Sequence, residues 1–141
     1  MRNWLTKFIP VFFSFFLLAG CQVVSPINTT KDFLSAIQQN NWEGASGFLV
    51  TNEDQSVQLL TAPQKQAWIK ANQEKLGKVT GFTVQNTVPL KEDQLTQLGS
   101  QEGYQVFFEL QSQHQGSQHL DAVIVKYDNS WKLIAPDFET Q

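Results

Sequence analysis

A short basic start, an apolar run and then the only cysteine, Cys21, divide this sequence into a leader and a folding unit. Residues 1 to 7 hold Arg2 and Lys7 and no acid, and residues 8 to 19 are apolar almost throughout. That is the layout of a secretory leader, a charged n-region followed by an apolar h-region. The run is about a dozen residues long, whereas a helix that spans a bilayer takes about 20. It does not read as a lasting transmembrane helix. Ala19 and Gly20 are small enough for an extended backbone to enter a peptidase site, and Cys21 directly behind them offers a thiol for a diacylglyceryl thioether. The fold must therefore be built from the residues beyond the leader.

Leu18-Ala19-Gly20-Cys21 resembles the lipobox of bacterial lipoproteins at all four positions. The resemblance implies cleavage between Gly20 and Cys21, acylation of Cys21, and attachment to a membrane through those acyl chains. In enteric members of that family an Asp after the acylated Cys holds the protein in the inner membrane. Here the position is Gln22, which implies the outer membrane, facing the periplasm. The expected organisation is a signal peptide over residues 1–20, a lipidated N-terminus and tether over 21–28, and a single domain over 29–141.

Removing 20 of the 141 residues leaves 121, enough for one modest core. Arg2 and Lys7 leave with the leader, so the 10 basic side chains fall to eight against 13 acidic ones, a net charge of −5. That charge argues against nucleic acid or an anionic lipid surface as a partner. With Cys21 consumed by lipid, neither a disulfide nor a thiolate metal site is available. Stability has to come from packing, and Phe33, Trp42, Phe48, Trp68, Phe82, Phe108, Trp131 and Phe138 supply large side chains for it.

Residues 22 to 28 lack periodicity and read as the tether. Thr29-Thr30-Lys31-Asp32 offers a hydroxyl cap, and Phe33, Leu34 and Ile37 recur at helical spacing, predicting a first helix to about Gln39. After Asn40-Asn41, the spacing of Trp42, Ala45, Phe48 and Leu49 predicts a short second helix. Thr61-Ala62-Pro63-Gln64 carries capping-box signs, and a third helix is expected from there to Leu76, ended by Gly77. Beyond Gly77 the period becomes two. A first strand sets Phe82, Val84 and Val88 on one side, and Tyr104, Val106, Phe108 and Leu110 alternate in a second. Between them, residues 89 to 103 read as a long loop, with at most one helical turn around Leu95 and Leu98. A third strand over residues 120 to 127, an Asp128-Asn129-Ser130 turn and a fourth strand from Trp131 complete an antiparallel meander.

Two local stretches resemble the nuclear transport factor 2-like superfamily, the cystatin-like α+β cone. Residues 32 to 45 are similar to the first helices of its small secreted members. Residues 123 to 133 are similar to their last hairpin, in which an apolar strand and a polar turn lead into Trp131-Lys132-Leu133. The resemblance implies an α+β fold with N-terminal helices packed on a curved antiparallel four-stranded sheet. Enzymes of the superfamily place an Asp, His or Tyr inside the cone.

No residue pattern here supplies such a group. His114 and His119 flank the turn at Gln115-Gly116, and their spacing fits no helix-face metal pair. Asp121 is out of phase with Leu120, Ala122 and Ile124, and Tyr104 reads as a core-edge aromatic. Ser46 lies in Gly44-Ala45-Ser46-Gly47 with no nucleophile elbow around it. Neither a catalytic set, a metal site nor a cofactor is expected.

Two binding surfaces are expected instead. Phe82, Val84, Val106, Phe108, Ile124 and Trp131 would line the concave face, as a packed core or as an apolar pocket. Alternation sends Phe107, Val123, Val125, Tyr127 and Ile134 to the other face. There they would form an interface centred on Phe107 and Val125, for a second copy or an envelope partner, unless the long loop or the tail folds over them. The functional expectation is a lipid-anchored, non-catalytic binding or accessory domain for a protein partner or apolar ligand. The alternative is a small isomerase- or hydratase-like enzyme using a pocket inside the cone.

Overall fold

The computed structural model describes residues 25–138, so the expectations for Gly20 and Cys21 lie outside the described residues. Helix α1 (Pro26–Gln38) starts inside the stretch read as tether. Ser25 caps it by accepting from the Asn28 N–H, and Pro26 opens it, where a missing N–H costs nothing. The cap expected at Thr29 is thus one turn too late, and both Thr29 and Thr30 are buried. Helix α2 (Trp42–Ser46) is capped by Asn41 and is shorter than expected.

Phe48 and Leu49 do not continue α2. Strand β1 (Leu49–Glu53) follows at once and folds back as β2 (Ser56–Leu59). Asp54 and Gln55 both hold positive φ, 52° and 60°, the backbone a tight hairpin needs. Helix α3 (Ala62–Leu76) forms as expected, with the reciprocal Thr61–Gln64 capping box and Gly77 ending it at φ 66°. Then come β3 (Val79–Pro89), the short helix α4 (Glu92–Leu98), β4 (Gly103–Ser112), β5 (Gly116–Tyr127) and β6 (Ser130–Ile134).

The sheet has six strands in the order β2-β1-β6-β5-β4-β3, not the four expected. It is also mixed, because β1 lies parallel to β6 through Leu49–Leu133 and Val50–Ile134. The fold is α+β, with α1 packed along β3 and across β4 and β6. Register sorts the faces. Phe82–Leu110, Val84–Phe108, Val106–Ala122 and Ile124–Leu133 point to the helices. A β-bulge between Val84 and Asn86 shifts the phase, so Val88 pairs with Gln105 on the other face and is 46% exposed. The expectation that Val88 joins Phe82 and Val84 fails for that reason.

An aromatic cluster ties the layers together. Phe33 of α1 lies 6.0 Å from Trp68 of α3 and 6.4 Å from Phe48, and it stacks on Phe138 of the C-terminal tail at 6.5 Å. The tail is fixed by polar contacts as well. Trp68 Nε1 donates to the Pro136 carbonyl at 2.8 Å, Asn72 Oδ1 accepts from the Phe138 N–H at 3.4 Å, and Lys75 pairs with Asp137 at 2.7 Å. Trp131, expected to plug the sheet against the helices, is only half-buried, while Phe138 fills the centre. Phe138→Ala is therefore expected to cost about 3–5 kcal/mol, the range for a deleted core aromatic, and Trp131→Ala distinctly less. Denaturant midpoints of the two variants check this ordering; the reverse order contradicts it.

Candidate functional site

Of the residues expected on the concave face, as a packed core or as an apolar pocket, the innermost are packed. Val106, Phe108 and Ile124 have no exposed surface and belong to one core cluster with Phe33, Leu34, Ile37 and Phe138. Phe82, Val84 and Trp131 are half-buried against that cluster. The two larger described cavities lie elsewhere. One of about 590 Å³ opens between the C-terminal ends of α1 and α3 and the start of β3, lined by Gln38, Asn40, Gln73, Glu74 and Lys78 among others. A second of about 610 Å³ lies between the segment after α4 and the β5–β6 turn, lined by Glu102, Lys126, Asp128 and Asn129. Both open at the surface; the first is lined mainly by apolar surface and the second mainly by polar groups.

One polar group faces the interior unpaired. Gln118 is 4% exposed and opposes Leu110, and neither its Oε1 nor its Nε2 has a hydrogen-bond partner among the described residues. The sequence carries a sign of it, because Gln118 is in phase with Leu120, Ala122 and Ile124. A strand read from Leu120 onward misses it, since β5 starts at Gly116, two residues before Gln118. The ionisable candidates stay outside: His114, His119 and Asp121 are exposed, and no group of three or more His, Cys, Asp or Glu that could hold a metal occurs among the described residues.

The opposite face of the sheet is partly covered from within the chain. Val125 and Val50 are fully buried there, yet neither belongs to the core cluster beneath the helices. The cover over Val125 is the segment 90–102, which carries α4. The Leu90 N–H donates to the Gly103 carbonyl at 3.0 Å and the Lys126 N–H to the Glu102 carbonyl at 3.1 Å, pinning both ends of the segment. Its far point reaches the β1–β2 hairpin, where Asn52 Nδ2 donates to the Leu98 carbonyl at 2.6 Å. Gly103 pairs with Val125, and a Cβ on Gly103 would strike Leu90 Cδ1 at 2.8 Å and Leu95 Cδ2 at 3.3 Å. Leu90 and Leu95 thus lie over the Gly103–Val125 pair.

The expected interface is corrected accordingly. It cannot be centred on Val125, because burying the apolar strand under α4 removes that side chain from any partner. Phe107, Val123, Tyr127 and Ile134 remain half-buried. Phe107 stands between Asp121 on β5 and Asn86 on β3, beside the Gln105–Asp121 hydrogen bond of 2.8 Å.

No protein-family model matches the chain, and no curated protein aligns with it. Among solved structures it is similar to a Campylobacter jejuni protein named as a candidate NTF2-like transpeptidase. The identity is 11%, the TM-score is 0.46, and the match covers 78% of this chain and 97% of that one.

The covering segment yields a prediction. Gly99 ends α4 at φ 71°, and a Cβ there would run into the Gln55 carbonyl oxygen. Gly99→Ala combines left-handed strain with that collision, a cost of about 1–3 kcal/mol. Amide exchange over residues 92–98 is expected to quicken while β4 and β5 keep their protection. Unchanged exchange in α4 would show that the segment is not held at Gly99.

Proposed function

We propose that this chain is a lipid-anchored, non-catalytic domain of the cell envelope that binds a protein partner. The anchor rests on Leu18-Ala19-Gly20-Cys21, and the Gln22 that follows favours the outer membrane, facing the periplasm. The non-catalytic reading is carried by one observation about the interior. The buried polar residues among those described are Thr29, Thr30, Ser46, Asn72, Ser112 and Gln118, and none of them ionises near neutral pH. A general acid or base for isomerisation or hydration needs an ionisable group that meets substrate away from water. Tyr104, half-buried against the core, is the residue on which the isomerase-like alternative would have to rest, and the absence of a buried ionisable group among those described favours the binding reading. The dense aromatic packing around Phe33 likewise speaks for a protein partner over an apolar ligand.

A nuclear transport factor 2-like cone is the architecture we propose for the domain, on the order of helices and strands and on the closing β5–β6 hairpin. The partner surface we propose is the part of the outer face that α4 leaves open, around Phe107, Val123 and Val88. There Phe107, Val123 and Val88 alternate with Asn86, Gln105 and Asp121 in a checkerboard of apolar and polar side chains, a mixed surface of the kind non-obligate contacts use. The first partner to test is a second copy of the chain. Sedimentation of residues 22–141 is expected to give a concentration-dependent dimer that Phe107→Glu abolishes while leaving the circular dichroism unchanged. A monomer at high concentration removes self-association, and a variant that unfolds shows Phe107 to be structural. For the anchor, Cys21→Ser is expected to eliminate incorporation of labelled palmitate and to leave the uncleaved precursor; equal label in both forms contradicts it.

A further inference from the structure

The end of the sheet towards which α1 begins carries an aromatic pair with a lysine over it, and we infer that this end rests on the headgroup layer of a zwitterionic bilayer. The inference depends on the anchored reading above. Three residues separate Cys21 from Ser25, the cap of α1. At about 3.5 Å per residue, the anchor to the domain spans no more than about 14 Å. Helix α1 alone, with 13 residues, is about 20 Å long. The tether is therefore too short for the domain to turn over and present its far end to the lipid.

The end that faces the membrane is set by how α1 lies. It packs along β3, and Gln38 in its last turn donates to the Thr80 carbonyl at 3.0 Å, where β3 begins. Its N-terminus therefore points towards the Pro89 end of that strand. Register carries this end across the sheet, from Pro89 to Tyr104, from Tyr104 to Ile124, and two residues on from Lys126 to Trp131.

Tyr104 and Trp131 meet edge to face at 5.7 Å, and Lys126 Nζ stands 5.3 Å from the Trp131 ring. Both aromatics are half-exposed. Trp68 donates its indole N–H to Pro136, whereas no described residue accepts from Trp131. Rings with an apolar body, a free polar tip and a neighbouring lysine are what settles at the membrane–water interface. Lys126 is 41% exposed at its side chain and lies 3.8 Å from Glu102, so it offers little net positive charge. With the acidic balance of the mature chain, this favours zwitterionic over anionic headgroups.

The test uses the acylated mature protein in phosphatidylcholine vesicles, with intact mass reporting the acyl chains. Three tryptophans follow Cys21, and Trp42 is buried and Trp68 lies within the aromatic cluster, so contact through Trp131 removes at most about a third of the emission. Phosphatidylcholine brominated near the top of its chains is expected to quench that share. Trp131→Phe is expected to abolish the quenching, and Lys126→Glu, which keeps the probe and an exposed site, to weaken it. Adding phosphatidylglycerol is expected not to strengthen it. An acylated protein whose emission is the same in brominated and plain vesicles overturns the docking inference and leaves the anchor standing. A mature protein with no acyl mass overturns both.

Discussion

Everything in this fold hangs on Phe33. Its ring touches α3 through Trp68, the start of β1 through Phe48, and the C-terminal tail through Phe138. A domain of this size buries a limited fraction of its surface, so side-chain packing, with polar ties such as Trp68 to Pro136 and Lys75 to Asp137, has to hold its layers together. One residue that reaches helix, sheet and tail concentrates that packing at a single point. Four aromatics, Phe33, Phe48, Trp68 and Phe138, fill the space between the layers at that point.

The second constraint is the treatment of the outer face. A six-stranded sheet with helices on one side presents apolar residues on the other, and an uncovered apolar face invites indiscriminate association. This chain covers part of it with its own segment 90–102 and leaves the part around Phe107 open. The division is set by a handful of contacts, chiefly Asn52 to the Leu98 carbonyl and the close seat of Gly103 beneath Leu90 and Leu95. What is left open is a mixed surface in which Phe107, Val123 and Val88 alternate with polar side chains.

Much of this is legible in the sequence because strong local chemistry agrees with the tertiary outcome. The Thr61–Gln64 capping box and Gly77 bracket α3, and the alternation through Val106, Phe108 and Leu110 reads true. Sequence reading fails where two physical patterns compete. Phe48 and Leu49 fit helical spacing from Trp42, but Leu49 and Val50 are consecutive residues buried on opposite faces of a strand, a pattern short apolar runs do not disclose. The hairpin after them turns on Asp54-Gln55, without the glycine that marks most such turns. Val88 changes face through a bulge that alternation cannot register. Alternation does send Val125 to the outer face, but its burial depends on where a loop folds, which no periodicity encodes. The packed state of Val106, Phe108 and Ile124 is likewise a matter of how closely the layers approach, and that distance is set by Phe33, Trp68 and Phe138 together.

The core around Phe33 is packed, and on the proposed function the chain works through its surface. A titration of residues 22–141 with cis-parinaric acid, a fluorescent apolar chain, tests it directly, with energy transfer from Trp68 reporting entry into the cone. The account predicts no saturable binding and no transfer from Trp68. One-to-one saturable uptake with transfer from Trp68 would show that the cone opens to a ligand, and would contradict it.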